Sequence, residues 1–346
     1  MLKDKKIVVC DYPSKYLFPP KGYGGIERWL WTVAKESVGL GMEVLILGPN
    51  WQYGLLPEAK HSPESIIDIA ADAFLDKFGK FDFLVAGHEY WLDEELVNKF
   101  EKISDKCLTY QHASTPQYSK KIFDNKKHFL FCYSNQFCSM FKKQEPTKLL
   151  CASIGYDEDP IRRESEGYLI SIGRLDKDKS PHYAVLAAEK LGMPIYIIGE
   201  SVRESDYVKK YQDVFSLPHV RNLGVVFGKH KMEIIAKASC GVYTIDKNYN
   251  EPAAGTICEI IKSGVPLAGM TWAGNDAICE PFKLDDKFGF LESFDKESDS
   301  EDAVVDRLVK AIKKCLELDR GYIWKKGNAL YDPRQLVEKM LVRSLN

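Results

Sequence analysis

The sequence has no apolar run approaching the roughly 20 residues that a membrane-spanning helix requires, which sets the integral helical membrane class aside. It has no C-x-x-C pair either. Nine cysteines lie scattered at positions 10, 107, 132, 138, 151, 240, 258, 279 and 315, an odd number without metal-ligand spacing. That excludes the common zinc and disulfide scaffolds. Thiols embedded in apolar runs, as in Phe129-Leu-Phe-Cys132, are expected to be reduced core residues of a cytoplasmic protein. A net charge of −2 leaves no global basic field to gather nucleic acid or an anionic membrane. No secretory signal is expected, because Met1-Leu-Lys-Asp-Lys-Lys6 leads straight into a short strand, Ile7–Cys10. Internal repeats and low-complexity tracts are missing. So is any G-x-G-x-x-G after an early strand, which disfavours a dinucleotide oxidoreductase.

What is present describes a soluble globular chain: 346 residues, 45% hydrophobic and 28% charged, long enough for two domains. Short apolar strands alternate with helical patterns. Lys6–Asp11, Met42–Gly48, Phe81–Ala86, Lys106–Tyr110 and His128–Tyr133 read as strands. Ile26–Val38, stopped by Gly39, and Ser62–Phe78, opened by Ser62-Pro63 as cap and first-turn proline, read as helices. The polar segment Tyr156–Gly167 reads as a linker with a hinge around Asp157–Gly167. The alternation then restarts with strands at Tyr168–Ile172, Ile195–Ile198, Val220–Leu223, Cys240–Ile245 and Pro266–Met270. Helices are expected at His182–Leu191, Lys231–Lys237, Ile257–Ser263, Glu301–Leu318 and Asp332–Leu345. This is an α/β pattern of parallel sheets covered on both faces. It predicts two Rossmann-like domains, 1–160 and 161–330, facing each other across a cleft, with the helix of 331–346 crossing back to the first.

The stretch richest in chemistry is Glu251-Pro-Ala-Ala-Gly-Thr-Ile-Cys-Glu259. Its first acid is expected on a loop at a strand's C-terminal end, and its second in the first turn of a helix. Gly255 between them lets a ligand approach the backbone, and helix-start amides can hold an anion. A polyol beside a phosphate would suit such a site. Thr256-x-x-Glu259 also has the form of a capping box that binds nothing. Arg174 and Lys179 leave one strand together, so a guanidinium and an ammonium could meet a negatively charged group there. Asp176-Lys-Asp178 beside them reads as a solvated loop. Gly22-Tyr-Gly24-Gly25 precedes a helix and could bring amides to a phosphate, while Trp29-Leu-Trp31 reads as packing.

Several of these stretches resemble one family, the retaining GT-B glycosyltransferases of family 4. Ser171-Ile-Gly-Arg-Leu-Asp-Lys-Asp-Lys179 is similar to its G-R-L-D-x-x-K signature, and Ile197-Ile-Gly199-Glu200 to its next strand end. Glu251 to Glu259 matches its E-x7-E element, Ser263-Gly264-Val-Pro266 its strand entry and Phe288-Gly-Phe-Leu291 its G-F-L turn. In the first half Gly24-Gly25-Ile-Glu27 is similar to a G-G-x-E loop, and Tyr110-Gln-His112 to a strand-end histidine. The likeness spans most of the chain. It implies catalytic roles for Arg174, Lys179, Glu251 and His112, with Glu259 on the donor ribose and Glu251 and His112 near the sugar. It also implies donor contacts from Gly24, Gly25, Gly173, Gly199, Gly255 and Thr256, and acceptor-side roles for His88 and Glu27.

On this resemblance the expected reaction is hexosyl transfer with retention from a nucleotide diphosphate sugar, UDP- or GDP-linked, without metal or other cofactor. A sugar-nucleotide epimerase and a non-catalytic sugar-nucleotide-binding protein are the alternatives. The acceptor stays open among glycans, lipid-linked, small-molecule and modified nucleic-acid hydroxyls, as does peripheral membrane contact through Lys120-Lys121 and Lys126-Lys127. Two departures stand out: Pro252-Ala-Ala254 replaces the family's usual glycine and aromatic, and Ala277 stands where an acid is common, with Asp276 or Glu280 nearby.

Overall fold

The run Ile7-Val-Val-Cys10 is wholly buried, as a parallel strand covered on both faces must be. It belongs to β1 (Lys6–Cys10) in a computed structural model. The structure describes residues 1–10, 17–21, 24–52, 54–87, 93–110, 126–132, 149–151, 159–201, 206–249, 251, 254–272 and 286–345. The chain divides into two units, Met1–Asp157 with Asp332–Asn346, and Glu158–Tyr331.

In the first unit β1 is joined by β2 (Glu43–Leu47), β3 (Lys60–Ser62), β4 (Phe81–Ala86), β5 (Ser104–Tyr110), β6 (His128–Cys132) and β7 (Leu149–Cys151). The sheet order is β3-β2-β1-β4-β5-β6-β7, every pair parallel. Among the described residues, helices α1 (Gly25–Gly39), α2 (Ala71–Phe78) and α3 (Glu94–Ile103) lie in the β1–β2, β3–β4 and β4–β5 crossovers. Trp29 of α1 packs edge-on against Tyr110, with centroids 5.0 Å apart. The helix expected over Ser62–Phe78 starts only at Ala71. Ser62 is drawn into the sheet opposite Leu47, its carbonyl accepting from Gly48 N–H (3.0 Å), so it cannot cap a helix.

The second unit holds β8 (Leu169–Ile172), β9 (Ile195–Ile198), β10 (Val220–Asn222), β11 (Cys240–Tyr243), β12 (Leu267–Trp272) and β13 (Gly289–Phe294). Its order is β10-β9-β8-β11-β12-β13, again all parallel. Around the sheet lie α4 (His182–Leu191), α5 (Asp206–Lys210), α6 (Gln212–Phe215), α7 (Gly228–Lys237), α8 (Gly255–Lys262), α9 (Glu301–Cys315) and α10 (Arg320–Leu330). Val185 and Ala188 of α4 and Leu308 and Ile312 of α9 cover Leu169, Ile195, Ile197 and Val242 of the sheet. Phe288–Leu291, expected as a turn, instead leads into β13, which pairs along the whole of β12. Helix α11 (Pro333–Leu345) returns to the first unit, where it packs on α1 through buried Val337, Met340 and Leu341. No helix among the described residues is long and apolar enough to cross a membrane.

Much of the expected hinge segment is tied to the second unit. Arg163 forks onto Glu233 (2.6 and 2.9 Å), Ser165 bonds Ser239 (2.6 Å) and Glu166 N–H donates to Lys237 O (2.8 Å). The Arg320 guanidinium donates to the carbonyls of Gly264, Ala238, Ala236 and Arg163. Residues 163–166 are therefore bonded into the second unit, and Asp157 itself lies outside the described residues.

Strand order reverses between β1 and β4 in one sheet and between β8 and β11 in the other, the positions where such sheets open a crevice at their C-terminal ends. Beyond β8 the backbone is packed without slack. Gly173 N–H donates to Ile198 O (3.0 Å) and Gly199 N–H to Gly224 O (2.9 Å). Gly199 has φ +150°, and a β-carbon there would fall 1.8 Å from Gly173 O. Gly199→Ala is therefore expected to cost about 3 kcal/mol or more in denaturant unfolding. A loss under about 0.5 kcal/mol, the range of an ordinary surface change, would show the approach to be looser.

Candidate functional site

The two strands flanking the second switch point each send out a charged loop. The one after β8 begins at Gly173 and carries Arg174, whose side chain is 9% exposed. Its Nη1 pairs with Asp176 Oδ2 (2.9 Å) and its Nη2 with Asp178 Oδ2 (3.0 Å). Asp176 is buried and also accepts the Lys179 N–H through Oδ1 (3.2 Å). The Asp-Lys-Asp segment is thus no solvated loop: its two acids orient the guanidinium. Ser180 follows with φ +44°, unusual for a residue before proline. It is held there by its hydroxyl on Lys177 O (2.7 Å) and its N–H on Asp176 O (3.0 Å).

The loop after β11 is laced to the first. Thr244 Oγ1 donates to Lys179 O (2.7 Å) and Asp246 N–H to Asp178 O (2.9 Å). The lacing brings the Lys179 ammonium onto the carboxylate of Glu251, which is 5% exposed and also accepts from Tyr243 Oη (3.3 Å). The ammonium lies 5.2 Å from the centre of the Tyr249 ring and 5.9 Å from that of Tyr243, and Arg174 is 5.9 Å from Tyr249. Burial, followed by the Arg174 charge, pulls Lys179 down to about 7, against the opposing pull of Asp176 and Asp178. A cavity of about 10 Å³, roughly the room one water needs, opens between Gly173, Arg174, Lys179, Tyr243 and Thr244.

Gly255 and Thr256 open α8, whose N-cap is Ala254 and which no side chain caps. Their position leaves first-turn amides at the end of β11's loop. The capping box is not formed, because Thr256 already lies inside the helix. Glu259 lies beyond the first turn, not within it. It is 2% exposed and turns to Lys231 of α7, which donates to its Oε1 at 2.7 Å.

Arg174, Lys179 and Glu251, with Gly173 and Gly199 beneath them, are thus brought together by the second unit. Gly255, Thr256 and Glu259 follow on the adjoining helix. In the first unit Gly24 is the N-cap of α1 at φ +147°, Gly25 begins the helix and Glu27 is buried in its first turn. A β-carbon at Gly24 would meet Pro20 Cβ (2.8 Å) and Glu27 Oε2 (2.9 Å). His88, His112, Lys120, Lys121 and the segment with Asp276, Ala277 and Glu280 lie outside the described residues. Lys127 of the expected basic cluster donates to Glu101 O (2.8 Å) and so serves the fold.

Sequence reading missed Asp176 and Asp178 as orienting acids, and also Tyr249 and Lys231. Lys231 left a signal: it shares a helix face with Ile235, where a charge needs a buried partner.

The architecture is of the GT-B type, two Rossmann-like units each built on a parallel sheet. No family model matches the sequence, and no curated protein matches it. Among solved structures the chain is similar to AviGT4, a glycosyltransferase of avilamycin A biosynthesis, at 16% identity and TM-score 0.73, over 98% of this chain and 97% of that one. It is also similar to sucrose-phosphate synthase from Thermosynechococcus elongatus, at 14% identity and TM-score 0.71, over 99% of each chain. A third similar structure is a point mutant of S. aureus TarM in complex with fondaparinux, α-GlcNAc-glycerol and UDP. The identity there is 9% and the TM-score 0.70, over 99% of this chain and all of the other. At such identities the likeness is one of fold.

The depressed Lys179 gives a test of this charge arrangement. Between about 7 and its ordinary value of 10.5 the unfolded chain binds the extra proton. Raising the pH across that window therefore favours the folded state, by at most about 1.4 kcal/mol per pH unit. Denaturant stability of wild type relative to Lys179→Met should climb from pH 7 to pH 9. A flat difference would mean that the ammonium is not held down.

Proposed function

We propose that the protein is a glycosyltransferase that moves a hexose, with retention, from a nucleotide diphosphate sugar to an acceptor hydroxyl. The observation that carries this reading is the meeting of Arg174, Lys179 and Glu251 at the C-terminal end of the β8–β11 switch point. Diphosphate would sit against the two cations and the first amides of α8, and Glu259 would take the ribose. Glu251 would face the sugar once its lysine turns to phosphate. The UDP of the TarM complex supports a nucleotide donor, here UDP- or GDP-linked.

In the reaction the bond between the anomeric carbon and the phosphate oxygen breaks, and its electron pair leaves with the diphosphate. Arg174 and Lys179 stabilise that charge where it grows, with no metal required in the scheme. The acceptor oxygen attacks from the same face and passes its proton to the departing phosphate oxygen. Positioning and charge stabilisation supply the rate. The buried cysteines suit a cytoplasmic setting.

Release of nucleoside diphosphate from UDP-, GDP-, ADP- and TDP-sugars tests the reading. One donor should be slowly hydrolysed, and Glu259→Ala should abolish this. Arg174→Ala should lower turnover about 10²–10³-fold, as removal of one transition-state donor does elsewhere. NMR of the first-formed anomer should show retention. Donor binding without release or transfer would mark a binding protein, and no binding at all would sink the proposal.

A further inference from the structure

Lys231 is 4% exposed, and its ammonium reaches Glu259 from a different helix. A buried ion pair is often no better for stability than two well-packed hydrocarbons of the same volume, so stability alone does not single out a lysine here. Its effect on Glu259 does. A carboxyl buried without a cation would tend to hold its proton. It would then offer a donor and fewer acceptor sites, whereas a carboxylate offers acceptors only. The ammonium at 2.7 Å also fixes the carboxylate plane from the α7 side.

We infer that Lys231 is a positioning residue of the donor site, which holds the Glu259 carboxylate so that it accepts from both vicinal hydroxyls of a ribose. The inference rests on the nucleotide-sugar reading and adds to it a residue outside the sugar- and phosphate-facing loops. Its signature is discrimination. A nucleotide without a 2′-hydroxyl forfeits one charge-assisted hydrogen bond, and that loss should vanish when the carboxylate is no longer held.

Calorimetric titration with UDP, GDP and ADP, then with the 2′-deoxy counterpart of whichever binds most tightly, reads this directly. Wild type should favour the ribonucleotide about tenfold or more, the weight of one hydrogen bond to a charged group. Lys231→Met and Lys231→Gln should bring the ratio close to one, while Lys231→Arg should keep it. Thermal unfolding would identify the folded variants, with glutamine guarding against collapse of the methionine form. A folded methionine or glutamine variant with the wild-type ratio would overturn the role of Lys231 and leave the nucleotide reading standing. A wild type that binds none of the three nucleotides would bring down that reading, and this inference with it.

Discussion

Arg174 and Lys179 are two cations on one short loop with little water around them. A charge in that position must be matched nearby or lost, and the loops around it are built to match. Asp176 and Asp178 hold the guanidinium, Glu251 holds the ammonium, and tyrosine rings lie within reach of both cations. The arrangement draws a cost from stability, most plainly in the depressed Lys179. What results is a pair of cationic groups whose directions are set by the protein's own acids.

The sheet makes that arrangement available. Neighbouring parallel strands whose connections run to opposite sides leave their C-terminal loops side by side. Here β8 delivers the cations and β11 the acid. The close contact of Gly199 with Gly173 serves the same end, because a side chain there would push the cation loop away from its neighbour. Packing, backbone geometry and charge meet within a few residues of two strand ends.

How far this could be read from the sequence depended on distance along the chain. Arg174 and Lys179 share a loop, and Glu251 to Glu259 a loop and a helix start, so local spacing together with the family resemblance singled them out as candidates. The strand alternation was likewise legible, since fully buried parallel strands are continuous apolar runs. What failed were choices between two local fates. Ser62-Pro63 carries a helix-start signal, yet pairing with β2 takes Ser62 into the sheet. Thr256 and Glu259 carry a capping signal, yet Glu259 is drawn to a lysine 28 residues away. Asp176 looked solvated because its partner's burial is a property of the tertiary fold. In each case a contact distant in sequence overrode a local preference.

Helix α11 belongs to the first unit although it follows every element of the second along the chain. On the ribosome, therefore, the second unit has all its strands and helices in hand before the first has its final cover for α1. During that interval the surface that Val337, Met340 and Leu341 will occupy faces solvent. The early half of the protein is thus completed only after the second unit has been made, and until then its apolar flank is open to premature association.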